Sequence, residues 1–166
     1  IPATISLAYP IYKNIDLLKK NKRIIYPAFI ISALTAIIST YYLSIFLNVE
    51  LNIIESILPK STTAPIAIEI AKQTGGIIQL TVCIVILTGI FGAMFGHRIL
   101  KLIKVKNDVA IGLSMGASSH ILGTARCVER GRKKQIVMSS IALVMVGIIS
   151  AIIIPVFIFV VKFLNI

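Results

Sequence analysis

Charge is scarce in this 166-residue chain, and acidic charge scarcest: six Asp and Glu stand against seventeen Lys and Arg, and charged residues make up only 14%. Hydrophobic residues reach 57% and the mean hydropathy is +0.98. That balance excludes an ordinary soluble domain and places the chain among integral membrane proteins, with the lipid bilayer as its solvent. Cysteine is nearly absent too. Cys83 and Cys127 form no CxxC or His/Cys spacing, so no metal site is expected, and Cys83, inside an apolar run, is expected to pack as a small hydrophobe. No HExxH, GxSxG or Walker loop occurs, and no apolar segment holds paired carboxylates, so neither an enzyme nor a cofactor is expected. Ser119 beside His120 makes no catalytic dyad, because adjacent helical residues point in different directions. No charged n-region opens the chain, so no signal peptide is read. The sequence is expected to be a fragment that lacks an N-terminal part.

The net charge of +11 raises the question of nucleic acid, and its placement answers it. Fourteen of the seventeen basic residues fall in three short clusters, Lys13 to Arg23, Arg98 to Lys106 and Arg126 to Lys134. Each adjoins a long uncharged run, which is the positive-inside pattern rather than a basic binding face. Nucleic acid is excluded as a partner.

Uncharged runs predict membrane helices at about residues 24–49, 73–97 and 135–161. Residues 1–12 read as the end of a membrane segment, and Lys13 to Arg23 as a cytoplasmic loop. Tyr41 and Tyr42 suit an interfacial belt, or equally a packed core. Gly89, Gly92 and Gly96 lie near one face, and Gly92–Gly96 and Gly112–Gly116 have the GxxxG spacing of close helix contact.

Two stretches do not fit lipid. Residues 53–72 carry Lys60, Ser61, Thr62 and Thr63 between Pro59 and Pro65, so a continuous helix is not expected there. Pro65 suits the first turn of a new helix, with Ser61 or Thr63 near its N-cap. Residues 109–125 carry Ser114, Ser118, Ser119, His120 and Thr124 among Gly112, Gly116 and Gly123, and end at Arg126. Irregular backbone at membrane depth survives only where protein or a water-lined cavity satisfies it. The plainer alternatives are an external loop before a short amphipathic helix, and a small-residue helix with its hydroxyls bonded to the preceding turn. If all three basic clusters are cytoplasmic, each polar stretch begins and ends on one side, as a re-entrant hairpin followed by a full crossing. The expected class is therefore an all-α polytopic membrane protein with two broken segments in inverted arrangement, a plan recurrent in secondary transporters.

The residues also resemble a family. Pro2-Ala-Thr, Pro10-Ile-Tyr-Lys-Asn, Leu58 to Glu69 and Ala117 to Arg126 are similar, in order, to the LrgB/CidB family. The resemblance implies a multi-pass protein of the bacterial plasma membrane, an antiholin-like modulator of murein hydrolase activity and autolysis that acts with a small LrgA/CidA-type partner. Family members linked to glycolate, glycerate and pyruvate imply a small-carboxylate transporter. The other implied reading is a holin-like homo-oligomer without specific transport, using its GxxxG faces. For transport, Lys60, Ser61, Thr62, Thr63, Pro65, Ser118, Ser119, His120, Gly123 and Thr124 are the candidate binding residues, with Arg126 at the cytoplasmic mouth. Thr63 is expected close to Ser119 and His120, near mid-membrane.

Overall fold

The computed structural model describes Tyr12 and residues 22–164. The expected segment end at residues 1–12, Tyr12 apart, and most of the Lys13 to Arg23 loop lie outside the described residues. So do the Pro2-Ala-Thr and Pro10 blocks. Among the described residues the regular elements are helical: α1 (Lys22–Phe46), α2 (Leu51–Ile57), a 3-10 turn (Leu58–Ser61), α3 (Ala64–Thr74), α4 (Ile78–Leu102), α5 (Asp108–Glu129) and α6 (Lys133–Leu164).

Helices α1, α4 and α6 are long and apolar enough to cross a membrane. At 1.5 Å per residue their 25, 25 and 32 residues reach about 38, 38 and 48 Å, against a hydrocarbon core of about 30 Å. Hydroxyls inside them bond back to the preceding turn, as Ser32 Oγ does to Ala28 O at 2.7 Å and Thr40 Oγ1 to Ala36 O at 2.6 Å. The chain is an all-α, multi-pass membrane protein.

The helix limits differ from the uncharged runs for a physical reason. Gly75, at φ +101, closes α3 in the left-handed conformation, so Gln73 and Thr74 belong to α3 and the next crossing starts at Ile78. Arg98 and Lys101 extend α4 beyond its apolar part, since long cationic side chains can carry their heads to the polar boundary.

Helices α1 and α6 lie side by side and point the same way. Ile25, Phe29 and Ala33 pack with Met138, Ile141, Ala142 and Val146 near one end. Ile37 and Tyr41 pack with Ile154, Ile158 and Val161 near the other. Tyr41 is therefore a core residue, edge-on to Phe157 at 5.0 Å, while Tyr42 faces outward.

The first polar stretch fills the notch at the second of these ends, through Ile54, Leu58 and Ile70. It turns back at Thr62 and Thr63, both extended, and its limbs meet again where the Ile77 N–H donates to Ser56 Oγ at 2.7 Å. Buried Glu55 there pairs with Lys162 of α6 at 2.7 Å, and Lys162 Nζ also donates to Thr74 O at 2.8 Å. The base of this hairpin is thus tied to the C-terminal end of α6.

The second stretch is tied to the opposite end of α6. A straight helix of 22 residues would hold its ends about 33 Å apart. Yet Asp108, which opens α5, accepts hydrogen bonds from Arg132 Nη1 at 3.0 Å and Gln135 Nε2 at 2.8 Å. The reversal is at His120, whose φ of 41° and ψ of −127° interrupt the helix. Gly123 comes so close to the first limb that a Cβ there would lie 2.2 Å from Met115 O. Gly112 and Gly116 press the same limb onto α6, where a Cβ would lie 2.5 Å from Gln135 O and 2.1 Å from Ser139 O.

Hydrogen bonds from Gln135 and from Arg132 hold the Asp108 carboxyl below the usual carboxylate range. A depressed folded-state value means that this link stabilises above the unfolded pKa of about 3.9 and is lost as pH falls through the lower folded value. Melting curves in detergent should show wild type above Asp108→Asn by a constant margin from about pH 5 to 8. The margin should shrink below about pH 4. A margin that instead grows as pH falls would contradict this reading of the hairpin base.

Candidate functional site

The two hairpin tips share a cavity of about 400 Å³. Lys60 and Ser61 enter it from the first tip, and Ser114, Met115, Ser118 and Ser119 from the second. Ala36 and Ser39 of α1 and Thr88, Phe91, Gly92, Gly96, Ile99 and Leu100 of α4 complete the wall. An adjoining cavity of about 380 Å³ opens on the other side of Ser61 and Ser118, toward Ser32 and Thr35.

Glycines on α4 set how close the second tip comes. A Cβ on Gly92 would lie 1.7 Å from Ser119 Oγ, and one on Gly89 would lie 2.5 Å from His120 Cε1. A Cβ on Gly96 would meet Met115 Sδ at 2.7 Å. The tip is therefore level with Gly89 and Gly92, near the middle of α4. On α6 the counterpart is Gly147, where a Cβ would be 3.0 Å from Ile66 Cδ1 in the first hairpin. Each crossing thus receives the hairpin of the other half on a glycine. Both GxxxG pairs make contacts inside the chain: Gly112 and Gly116 are buried against α6, while Gly92 and Gly96 are half-buried, meet the second hairpin and line the cavity.

Lys60 Nζ donates to Thr40 Oγ1, which takes one of three ammonium donors. Among the described residues that line the cavity there is no Asp or Glu, so no carboxylate there pairs with the lysine. Ser118 Oγ donates to Ser114 O at 2.7 Å and lies 2.9 Å from Ser119 Oγ. Chemically this is a mostly apolar pocket whose polar groups are serine and threonine hydroxyls and one lysine, an arrangement that can hold a small anion.

Other expected site residues lie elsewhere. Thr62 and Thr63 are buried within the first tip, where Thr62 Oγ1 donates to Pro59 O at 2.8 Å. Thr63 occupies the N-cap position of α3, but its side chain makes no capping bond. Pro65, in the first turn of α3, lines a separate cavity with Glu69 and Gln73. The His120 ring is held on α4, Nε2 lying 2.9 Å from Val85 O, so it anchors the tip. Gly123 is the packing contact between limbs, and Thr124 Oγ1 is buried without a partner. Arg126 is exposed and paired with Glu129. Cys83, expected to pack as a small hydrophobe, is exposed on α4, because the buried face of that helix runs through Thr81, Val85 and Gly89.

Sequence reasoning missed Ser39, Thr40 and Thr88, and noted Ser114 in the polar stretch without making it a candidate binding residue. Spacing held the signal for two of them: Ser114 precedes Ser118 by one helical turn, and Thr88 so precedes Gly92. Nothing in the sequence ties Thr40 to Lys60.

Residues 1–160 match the sequence profile of the LrgB-like family. The chain belongs to that family. Among relatives of this LrgB-like chain, a Haemophilus influenzae protein of uncharacterised function is 38% identical over 151 residues, covering 91% of the chain and 65% of the relative. The antiholin-like protein LrgB of Bacillus subtilis is 36% identical over 157 residues, 95% of the chain and 68% of the relative. That of Bacillus mycoides is 33% identical over 156 residues, 94% and 67%. The LrgB-like chain thus spans about two thirds of the length of these relatives. No solved structure matches it.

Proposed function

We propose that the protein is a transport component for small carboxylates of the pyruvate and glycolate kind, in the bacterial plasma membrane. One observation carries this reading: a lysine and a serine from one hairpin, and three serines from another of opposite origin, line a single cavity. A carboxylate there would accept charge-assisted bonds from the Lys60 ammonium, which are roughly twice as strong as neutral ones. Ser61, Ser118 and Ser119 would hold its second oxygen and its keto or hydroxyl group. The basic face, where Asp108 and Arg132 meet, is then cytoplasmic. A small LrgA/CidA-type protein is its partner, and modulation of murein hydrolases and autolysis follows from carboxylate flux. No covalent chemistry is required.

Proteoliposomes holding the full-length protein, with and without that partner, test this directly. Labelled pyruvate, glycolate or lactate should enter saturably, and glycerol should not. Leakage of an encapsulated dye at the same rate as carboxylate entering would instead establish a holin-like pore and end the transport reading.

A further inference from the structure

The basic face carries a second and larger cavity, of about 640 Å³, that the hairpin tips do not share. Six cations line it: Arg98, Lys101, Lys104 and Lys106 from the end of α4 and beyond, and Arg130 and Arg132 from the turn before α6. Among the described residues, Arg132 is the one of these six that meets a carboxylate, that of Asp108. Asp108 also receives the Gln135 amide, so little of its charge is left for the others.

The back wall is fixed by a hydrogen-bonded chain. Gln135 gives its amide N–H to Asp108, so its oxygen is the acceptor that faces His97 Nε2 at 3.2 Å. His97 therefore carries its proton on Nε2 when neutral, and Nδ1 is a buried atom without a partner. This chain fixes the back wall and, through Asp108, Arg132, while the other five cations stand exposed around the mouth. The remaining wall is apolar, from Leu100, Val105 and Ile111, and the adjoining Leu102 and Ile103 are exposed.

Cations beside an apolar wall at the end of a membrane-crossing helix match an amphipathic anion. We infer that this cavity binds a phosphate group, and that its source is the headgroup of an anionic phospholipid in the adjacent leaflet. Arginine forks take phosphate oxygens two at a time, and lysines add point charge. Juxtamembrane basic groups are drawn to an anionic surface, so a cluster of six favours charged lipid. The inference stands apart from carboxylate transport, since none of these six residues lines the cavity between the tips.

The test uses full-length protein in detergent, with native mass spectrometry and melting temperature as readouts. Phosphatidylglycerol, phosphatidylcholine, glycerol phosphate and inorganic phosphate are the probes. Wild type should retain phosphatidylglycerol at least tenfold better than the Arg98→Gln, Lys101→Gln, Arg130→Gln triple variant, with no such difference for phosphatidylcholine. A variant that melts as wild type in lipid-free detergent shows that folding is intact; Arg130→Gln alone serves if the triple variant does not. Saturable binding of glycerol phosphate or inorganic phosphate, lost in the variant, would keep the phosphate site but assign it to a soluble source. Equal retention of both lipids, or equal retention of phosphatidylglycerol by wild type and variant, would overturn the inference.

Discussion

Replacing Gly92 by alanine should cut carboxylate uptake at least tenfold, although alanine is the better helix former. Two effects oppose each other at this position. Helix propensity favours alanine over glycine by about 1 kcal/mol. Against it, the new methyl would lie 1.7 Å from Ser119 Oγ and 2.4 Å from Ser119 Cβ, so Ser119 and the hairpin tip must move. Overpacking typically costs about 1–3 kcal/mol, and here the tip is also pinned by the His120 contact to Val85. The steric term wins. Size compensation separates packing from chemistry. Gly92→Ala with Ser119→Gly should recover melting temperature and membrane abundance, because the clashing atoms are gone. Uptake should stay low, because the cavity has lost a hydroxyl. Full recovery of uptake in the double variant would show that Ser119 contributes only shape. Gly147→Ala is the control: its methyl would meet only the end of the flexible Ile66 side chain, and uptake should change less than twofold.

Lys60 should show the second large effect. Lys60→Gln is expected to lower carboxylate affinity by roughly 10- to 100-fold, the range set by about 1.5–3 kcal/mol for a hydrogen bond to a charged group. Lys60→Arg keeps the charge but changes its shape, and should fall between the two. Thr40→Val gives the informative contrast. It removes the hydroxyl that Lys60 contacts but leaves the ammonium in the cavity, so affinity should stay within about threefold of wild type, under 0.7 kcal/mol. Substrate binding measured by competition against labelled pyruvate checks all three. Equal loss in Thr40→Val and Lys60→Gln would make Lys60 a structural pin.

The class of fold was legible because lipid leaves few choices. Uncharged runs of membrane length must be helical, and three basic clusters constrain where each polar stretch begins and ends. Details at the tips were not legible, because pairwise packing sets them. The chain reverses at His120, a residue with positive φ, although Gly116 and Gly123 flank it and would adopt that conformation more readily. Those glycines are consumed by close contacts with Ser139 and Met115. The GxxxG pairs read equally as faces for a partner chain or for the chain's own helices, and only tertiary contacts distinguish the two. At the first tip, four consecutive polar residues offered no way to separate Lys60 and Ser61, which line the cavity, from Thr62 and Thr63, which are buried within the tip. The link among Asp108, Arg132 and Gln135 joins residues more than a helix length apart in sequence, and no local pattern marks it.

The meeting of the two tips is the claim on which transport rests, and a cysteine pair measures it most directly. Ser61→Cys and Ser118→Cys would be introduced together into full-length protein in which Cys83 and Cys127 are replaced by alanine. Both positions line the shared cavity and its neighbour. Cysteines at Asp108 and Arg132, across the base of the second hairpin, give the positive control. Treatment in membranes with a short bifunctional thiol reagent, followed by digestion and mass spectrometry, should yield a peptide joining positions 61 and 118, and pyruvate should slow its formation. Efficient linkage of the control pair with no link between 61 and 118 would contradict the shared site.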